Sequence, residues 1–310
     1  ARFSFLILAT IVMLLASLGF SSVGKAADMV DGAPSEIDGL RVTQVELGGD
    51  FSAAITEDGS LWTWGSNDNG QLGDGTIEDR LEPTKIMENV KLVTLSTSSA
   101  AAVQEDGSLW TWGYSNFHLL GYETDAGYSS EPRKIMDNIV SVSLGRYAGG
   151  AVASDGSLYT WGNNTFGLLG DGSGEARSTP EKIMDDVASV IINRGTESGF
   201  AAAIRRDGSL WMWGDGYNGQ LGDGTSEDHD KPVWVMDNVE SVSLGFVHAA
   251  AIKNDGSLWM WGQVGTATLA TAIPMETLGQ RPSRLWMGLL TCLAETRLLT
   301  IATIRLPRWS

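Results

Sequence analysis

Apolar and polar residues alternate along this chain in short runs that come in pairs. In VESVSLGFVHAAAIKNDGSLWMWG, residues 239–262, Val242 and Leu244 alternate with serines, and Ala250 and Ile252 continue the period of two. That period places every second side chain on one face of an extended strand. Between the second run and Leu258-Trp259-Met260-Trp261 stands the polar stretch Asn254-Asp255-Gly256-Ser257. Gly256 has no Cβ to clash in the left-handed backbone that tight turns need, so the stretch predicts a hairpin. In the first copy a glycine-rich loop, NDNGQLGDG at 67–75, comes next, and then a short apolar run, Lys85-Ile86-Met87; Trp234-Val235-Met236 is the same run in a later copy. Each unit therefore predicts about four short strands.

The unit recurs. DGSLWTWG begins at Asp58 and Asp106, DGSLYTWG at Asp155, and DGSLWMWG at Asp207 and Asp255, at spacings of 48, 49, 52 and 48 residues. A four-stranded unit of this size cannot bury two apolar faces alone and needs a neighbour on each. Radial stacking of such units gives a β-propeller. The pairs Trp62 and Trp64, Trp110 and Trp112, Trp211 and Trp213, and Trp259 and Trp261 lie two apart and share a strand face. Large rings repeated at one place suit packing between blades better than a carbohydrate-binding platform.

The pattern of small residues, Asp-Gly, an aromatic, Trp-Gly and a Gly-Gln-Leu-Gly loop resembles the regulator of chromosome condensation repeat. GQLGDGT stands at 70–76 and 219–225, with degraded copies HLLGYET from His118 and GLLGDGS from Gly167. The resemblance covers about residues 40–262. It implies an all-β fold, a propeller of four-stranded blades that in the family commonly numbers seven, here a partial array of about four to five. The family histidine is present only as His248, where the other copies hold Phe51, Ser99, Ala148 and Phe200, which suits a structural position rather than a shared catalytic group. Eukaryotic members include a nucleotide exchange factor for a small GTPase that docks on chromatin. No basic tail for chromatin and no matching exchange residue is found, so the resemblance carries the fold and not that activity.

Charge divides the 310-residue chain into parts. Residues 28–262 carry 36 acidic against 14 basic side chains, while 263–310 carry 2 against 5. An acidic body repels phosphate backbones and anionic membranes, which disfavours nucleic acid as a partner. Residues 1–27 hold only Arg2 and Lys25 as charges, and FLILATIVMLLASLGF at 5–20 reads as the apolar core of a signal peptide, with Gly24, Ala26 or Ala27 near a cleavage site. The alternative is an uncleaved membrane anchor, the one route by which a membrane enters as a partner. Residues 28–39 are a short linker. The single cysteine, Cys292, leaves the repeat body with no disulfide.

After Gly262 the repeat stops. Residues 263–310 lack Asp-Gly turns and are basic. A capping segment is one explanation and a reading-frame shift the other. If Thr268-Leu269-Ala270-Thr271-Ala272 is encoded ACC TTG GCG ACG GCT, reading from the last base of each codon gives Leu-Gly-Asp-Gly, the missing loop. Its leucine then follows Gly262 by seven residues, as Leu72 follows Gly65 and Leu221 follows Gly214. The same frame over 285–293 can read Met-Asp-Gly-Val-Ala-Asp-Val-Ser, similar to MDNIVSVS at 136–143. The tail is therefore expected to be a frameshift product, and the DNA across codon 262 tests it.

No catalytic, cofactor-binding or metal-ligating residues emerge. His118, His229 and His248 fall at three different places in the repeat and form no spaced metal set. The oxygen-rich loops at 67–70 and 215–219 lack the closing glutamate of a helix-loop-helix calcium site, and turn chemistry explains them. The GQLGDG glycines have no Lys-Ser/Thr end to mark a phosphate cradle. Asn163-Asn164-Thr165 is a glycosylation sequon, relevant only in a eukaryotic secretory host. Loops vary between copies, as in YETDAGYSSEP at 122–132 and DGSGEARSTP at 171–180, while strands repeat. This predicts a noncatalytic, secreted or cell-envelope scaffold that needs no cofactor and binds a protein or surface glycan. Nucleotide exchange on a GTPase is the alternative.

Overall fold

The computed structural model describes residues 37–195, 199–263 and the backbone of 264 and 267–269. The signal-like segment 1–27, most of the linker and the tail from 270 lie outside the described residues. Five four-stranded antiparallel sheets follow one another, each a meander. The first holds β1 (Val42–Leu47), β2 (Phe51–Thr56), β3 (Leu61–Gly65) and β4 (Arg80–Met87). The second holds β5 (Val90–Leu95), β6 (Ser99–Gln104), β7 (Leu109–Tyr114) and β8 (Tyr128–Met136). The third holds β9 (Ile139–Leu144), β10 (Ala148–Ala153), β11 (Leu158–Gly162) and β12 (Arg177–Met184). The fourth holds β13 (Val187–Ile192), β14 (Phe200–Arg205), β15 (Leu210–Gly214) and β16 (His229–Met236). The fifth holds β17 (Val239–Leu244), β18 (His248–Lys253), β19 (Leu258–Val264) and a three-residue β20 (Ala267–Leu269).

The Asp-Gly-Ser turns join second to third strands as the alternation predicts. Asp58, Asp106, Asp155, Asp207 and Asp255 each accept a hydrogen bond from the amide of the serine two residues on. Ser108, Ser209 and Ser257 in turn accept the indole N–H of Trp110, Trp211 and Trp259. One motif therefore fixes the turn and the ring after it. The fourth strands begin earlier than their apolar ends suggested and contain Pro83, Pro132, Pro180 and Pro232. Proline has no amide to donate and is tolerated on an edge strand.

The core lies between blades. The first strand of each sheet touches the first and second strands of the sheet before it. At the first junction Val93, Leu95 and Trp112 of blade two close on Phe51, Ala53 and Ile55 of blade one. Trp112, Trp161, Trp213 and Trp261 are buried, and each donates its indole N–H to the preceding blade's loop, at Gln71 O, Leu119 O, Leu168 O and Gln220 O, over 2.7–3.0 Å. The second glycine of the loop is what lets that ring approach, since a Cβ on Gly73 would sit 2.6 Å from Trp112 Nε1.

A hub ties the first strands together. The 52-residue spacing arises from a longer link between β13 and β14, which carries Asn193 and Arg194. Arg194 donates to Leu144 O of blade three and Thr94 Oγ1 of blade two, and its guanidinium lies 3.8 Å from Glu46 of blade one. Asn193 donates to Gly245 O of blade five. Burial pushes the Glu46 carboxyl above the usual carboxylate range, against the opposing pull of Arg194.

Candidate functional site

In an antiparallel meander the first and third connections share one end of the sheet and the second connection occupies the other. The array accordingly has a turn end, formed by the Asp-Gly-Ser hairpins, and a loop end, formed by the GQLG-type loops and the links between first and second strands. The turn end is charged, with Lys85–Glu88, Lys134–Asp137 and Lys182–Asp185 pairs beside its turns. The loop end carries exposed Tyr114, Phe117, Phe166, Tyr217 and Phe246. Phe117 meets Tyr147 edge-on at 5.3 Å, and Arg146 lies over the Tyr147 ring.

These loops are held by side chains that the strand pattern did not mark. Buried Asn67 spans its loop: Nδ2 donates to Asp74, Thr76 O and Glu78 O, while Oδ1 accepts from the Leu72 amide. Asn164 repeats this with Asp171, Glu175 O and the Leu169 amide. Thr63, Thr111 and Thr160 donate to Leu72 O, Leu120 O and Leu169 O. The aspartate of Leu-Gly-Asp-Gly pairs with the first residue of the fourth strand, as Asp74–Arg80, Asp171–Arg177 and Asp223–His229. Burial would raise each carboxyl, but hydrogen bonds from Thr76 and Arg80, Ser173 and Arg177, or Thr225 and His229 outweigh it and hold all three below the usual range. The signal for this scaffold was the recurrence of Asn67 and Asn164 two residues after Trp-Gly's glycine.

Blade four departs from this plan. Met212 replaces the threonine and Gly216 the asparagine, so neither bond is available. Between its loop and blade three lies an open cleft of about 540 Å³, walled by Phe166 and Tyr217 and lined by Asp215, Glu227 and Asp228. Tyr217 is 79% exposed and Phe166 46%, whereas Asp215 is 5% exposed and its side chain accepts, among the described residues, only the Tyr217 amide. Phe117 and Phe166 both adopt positive φ, 52° and 60°, which is costly for an aromatic side chain.

The residues weighed from sequence are dispersed. His118 sits 3.2 Å from Glu123, His229 pairs with Asp223, and His248 opens β18 against Gly245. Burial lowers the pKa of His248. Among the described residues no group of three His, Cys, Asp or Glu side chains could hold a metal ion. Asn67 and Asp74 are consumed in bracing the first loop, and Asp68 is exposed. The second tryptophan of each inner pair is buried and offers no platform. Cys292 lies outside the described residues.

The family model described as RCC1-like domain matches residues 18–289. The chain belongs to the RCC1-like domain family. Among curated relatives it is 30% identical over 193 residues to the human E3 ubiquitin-protein ligase HERC2, covering 61% of this chain and 3% of HERC2. It is 39% identical over 64 residues to the Arabidopsis thaliana ultraviolet-B receptor UVR8, covering 20% of this chain and 14% of the receptor. Human WBSCR16 matches the RCC1-like array with a TM-score of 0.68 at 20% identity, over 79% of this chain and 69% of that one. Prp20p of Saccharomyces cerevisiae matches with a TM-score of 0.64 at 20% identity, over 76% and 63%. These likenesses show the RCC1-like propeller fold. The chain spans a small part of the curated relatives it matches.

Proposed function

We propose that this RCC1-like chain is a noncatalytic binding scaffold of the cell envelope or extracellular space, recognising a protein partner through its loop end. RCC1-like membership supports a protein-binding or regulatory scaffold. The observation that carries the choice of face is the group of five exposed aromatics at that end, two of them on strained backbone, against exposed Trp234 alone toward the turn end among the described residues. Aromatic side chains give large contact area at small entropic cost, and loops on a rigid frame are where recognition concentrates. Solved relatives are consistent with protein partners: Prp20p is described with its binding to Gsp1p and histones, and yeast RCC1 was solved with Kap60. The apolar run at 5–20 supports export.

A photo-crosslinking residue at Phe117 or at Glu105, at opposite ends of blade two, tests the face in intact producing cells. Crosslinks from position 117 and not 105, together with a mature N-terminus near Asp28 in the extracytoplasmic fraction, are expected. Crosslinks from 105 alone would overturn the assignment of the face. A cytosolic protein with an intact N-terminus that accelerates nucleotide release from a GTPase would establish exchange instead.

A further inference from the structure

We infer that the cleft between blades three and four receives a lysine or arginine side chain from a basic segment of the partner protein. This rests on the scaffold reading and specifies its partner. Three features converge on a cation with an apolar stem. Phe166 and Tyr217 both line the cleft and are exposed, and aromatic rings attract cations with their faces while their bodies cover a methylene stem. The lining is acidic, through Asp215, Glu227 and Asp228, with no lysine or arginine in it.

The third feature is Asp215. Its side chain is almost wholly buried, lines the cleft, and has a single backbone amide as its hydrogen-bond partner among the described residues. Asp215 stands where the first three blades hold Ser66, Tyr114 and Asn163, so its carboxylate has no counterpart in them, and the partnered aspartate of its own loop is Asp223, with His229. A buried carboxylate without a counter-ion is costly, and an incoming guanidinium or ammonium supplies the missing partner. The blade-four loop also lacks the threonine bond of the first three blades and the asparagine brace of blades one and three, keeping the backbone bond from Gly216 N to Asp228 that matches Asn67 N to Asp79. A net-acidic body extends the attraction over a Debye length and raises encounter rates with basic partners.

Fluorescence anisotropy with a labelled nona-arginine peptide, and a neutral Gly-Ser peptide as control, tests this on the full chain at about 0.15 M salt. Asp215→Asn is expected to weaken nona-arginine binding roughly tenfold. Tyr217→Ala, which leaves net charge unchanged, is expected to weaken it roughly fivefold. Glu82→Gln removes one charge from exposed β4 and is expected to stay within about twofold, since it touches only the bulk field. If Asp215→Asn and Tyr217→Ala, both melting like the parent, behave as Glu82→Gln does, bulk acidity explains the binding and the cleft assignment fails. Absence of nona-arginine binding also defeats it. Crosslinking from position 117 persisting in either case leaves the scaffold reading standing, whereas its loss removes both.

Discussion

Trp161 shows at the scale of one residue how blades hold each other. Its indole N–H reaches Leu119 O at 2.7 Å inside a fully buried junction. Trp64 occupies the same strand position in blade one, where no described blade precedes it, and it is partly exposed. Trp161→Phe should therefore cost about 2 kcal/mol through the unsatisfied carbonyl and lost volume, and Trp64→Phe much less, read from urea unfolding midpoints. Asp58 makes a second residue-scale prediction. Hydrogen bonds from Thr56 and from the Ser60 amide and hydroxyl lower its pKa to about 2 from 3.8. A depressed carboxylate stabilises the fold above the unfolded value and loses that contribution as pH falls through the folded one. Midpoints measured between about pH 4 and pH 2 should decline more steeply for the parent than for Asp58→Asn, which keeps the acceptor but does not titrate.

The loop is the element in which sequence and structure part company. Strand alternation and the Asp-Gly turns were legible because each blade repeats them, and the buried tryptophans followed from their two-residue spacing. The GQLG loop was legible as a motif but not as a mechanism. Its carbonyl and its second glycine act on a tryptophan about forty residues later, a pairing that periodicity within one unit does not express. The aromatic face was hidden for another reason: Phe117 and Phe166 share a loop position that holds Asn69 and Asn218 in blades one and four, Tyr217 stands one residue earlier, and the three become a surface only when the blades align. The bracing role of Asn164 predicts that Asn164→Ala costs about 2 kcal/mol, because the Leu169 amide and Glu175 carbonyl lose their partner. In blade four the reverse substitution, Gly216→Asn, should also destabilise, since the Glu227 carbonyl occupies the space a Cβ would fill. Thermal melting of the pair separates a brace from a mere preference for asparagine.

Across the whole array, the two terminal blades differ from the inner ones. Leu47 is 58% exposed while its equivalents Leu95 and Leu144 are fully buried against a preceding blade. Ala250 and Ile252 on the other terminal face are likewise less covered than Ala53 and Ile55. Leu47→Asp should leave the melting temperature nearly unchanged and raise the concentration at which the chain precipitates, whereas Leu95→Asp should prevent folding by placing a charge in a closed junction. Light scattering and circular dichroism on the two variants distinguish these outcomes. The indole-to-loop bonds also give the array a direction in time. Each bond joins a carbonyl to a ring 41–45 residues downstream. At a synthesis rate of about 5–20 residues per second, every loop waits roughly 2–9 s for the ribosome to deliver the ring that locks it. Assembly is then vectorial, each blade finished by its successor, and the newest blade always the one still open.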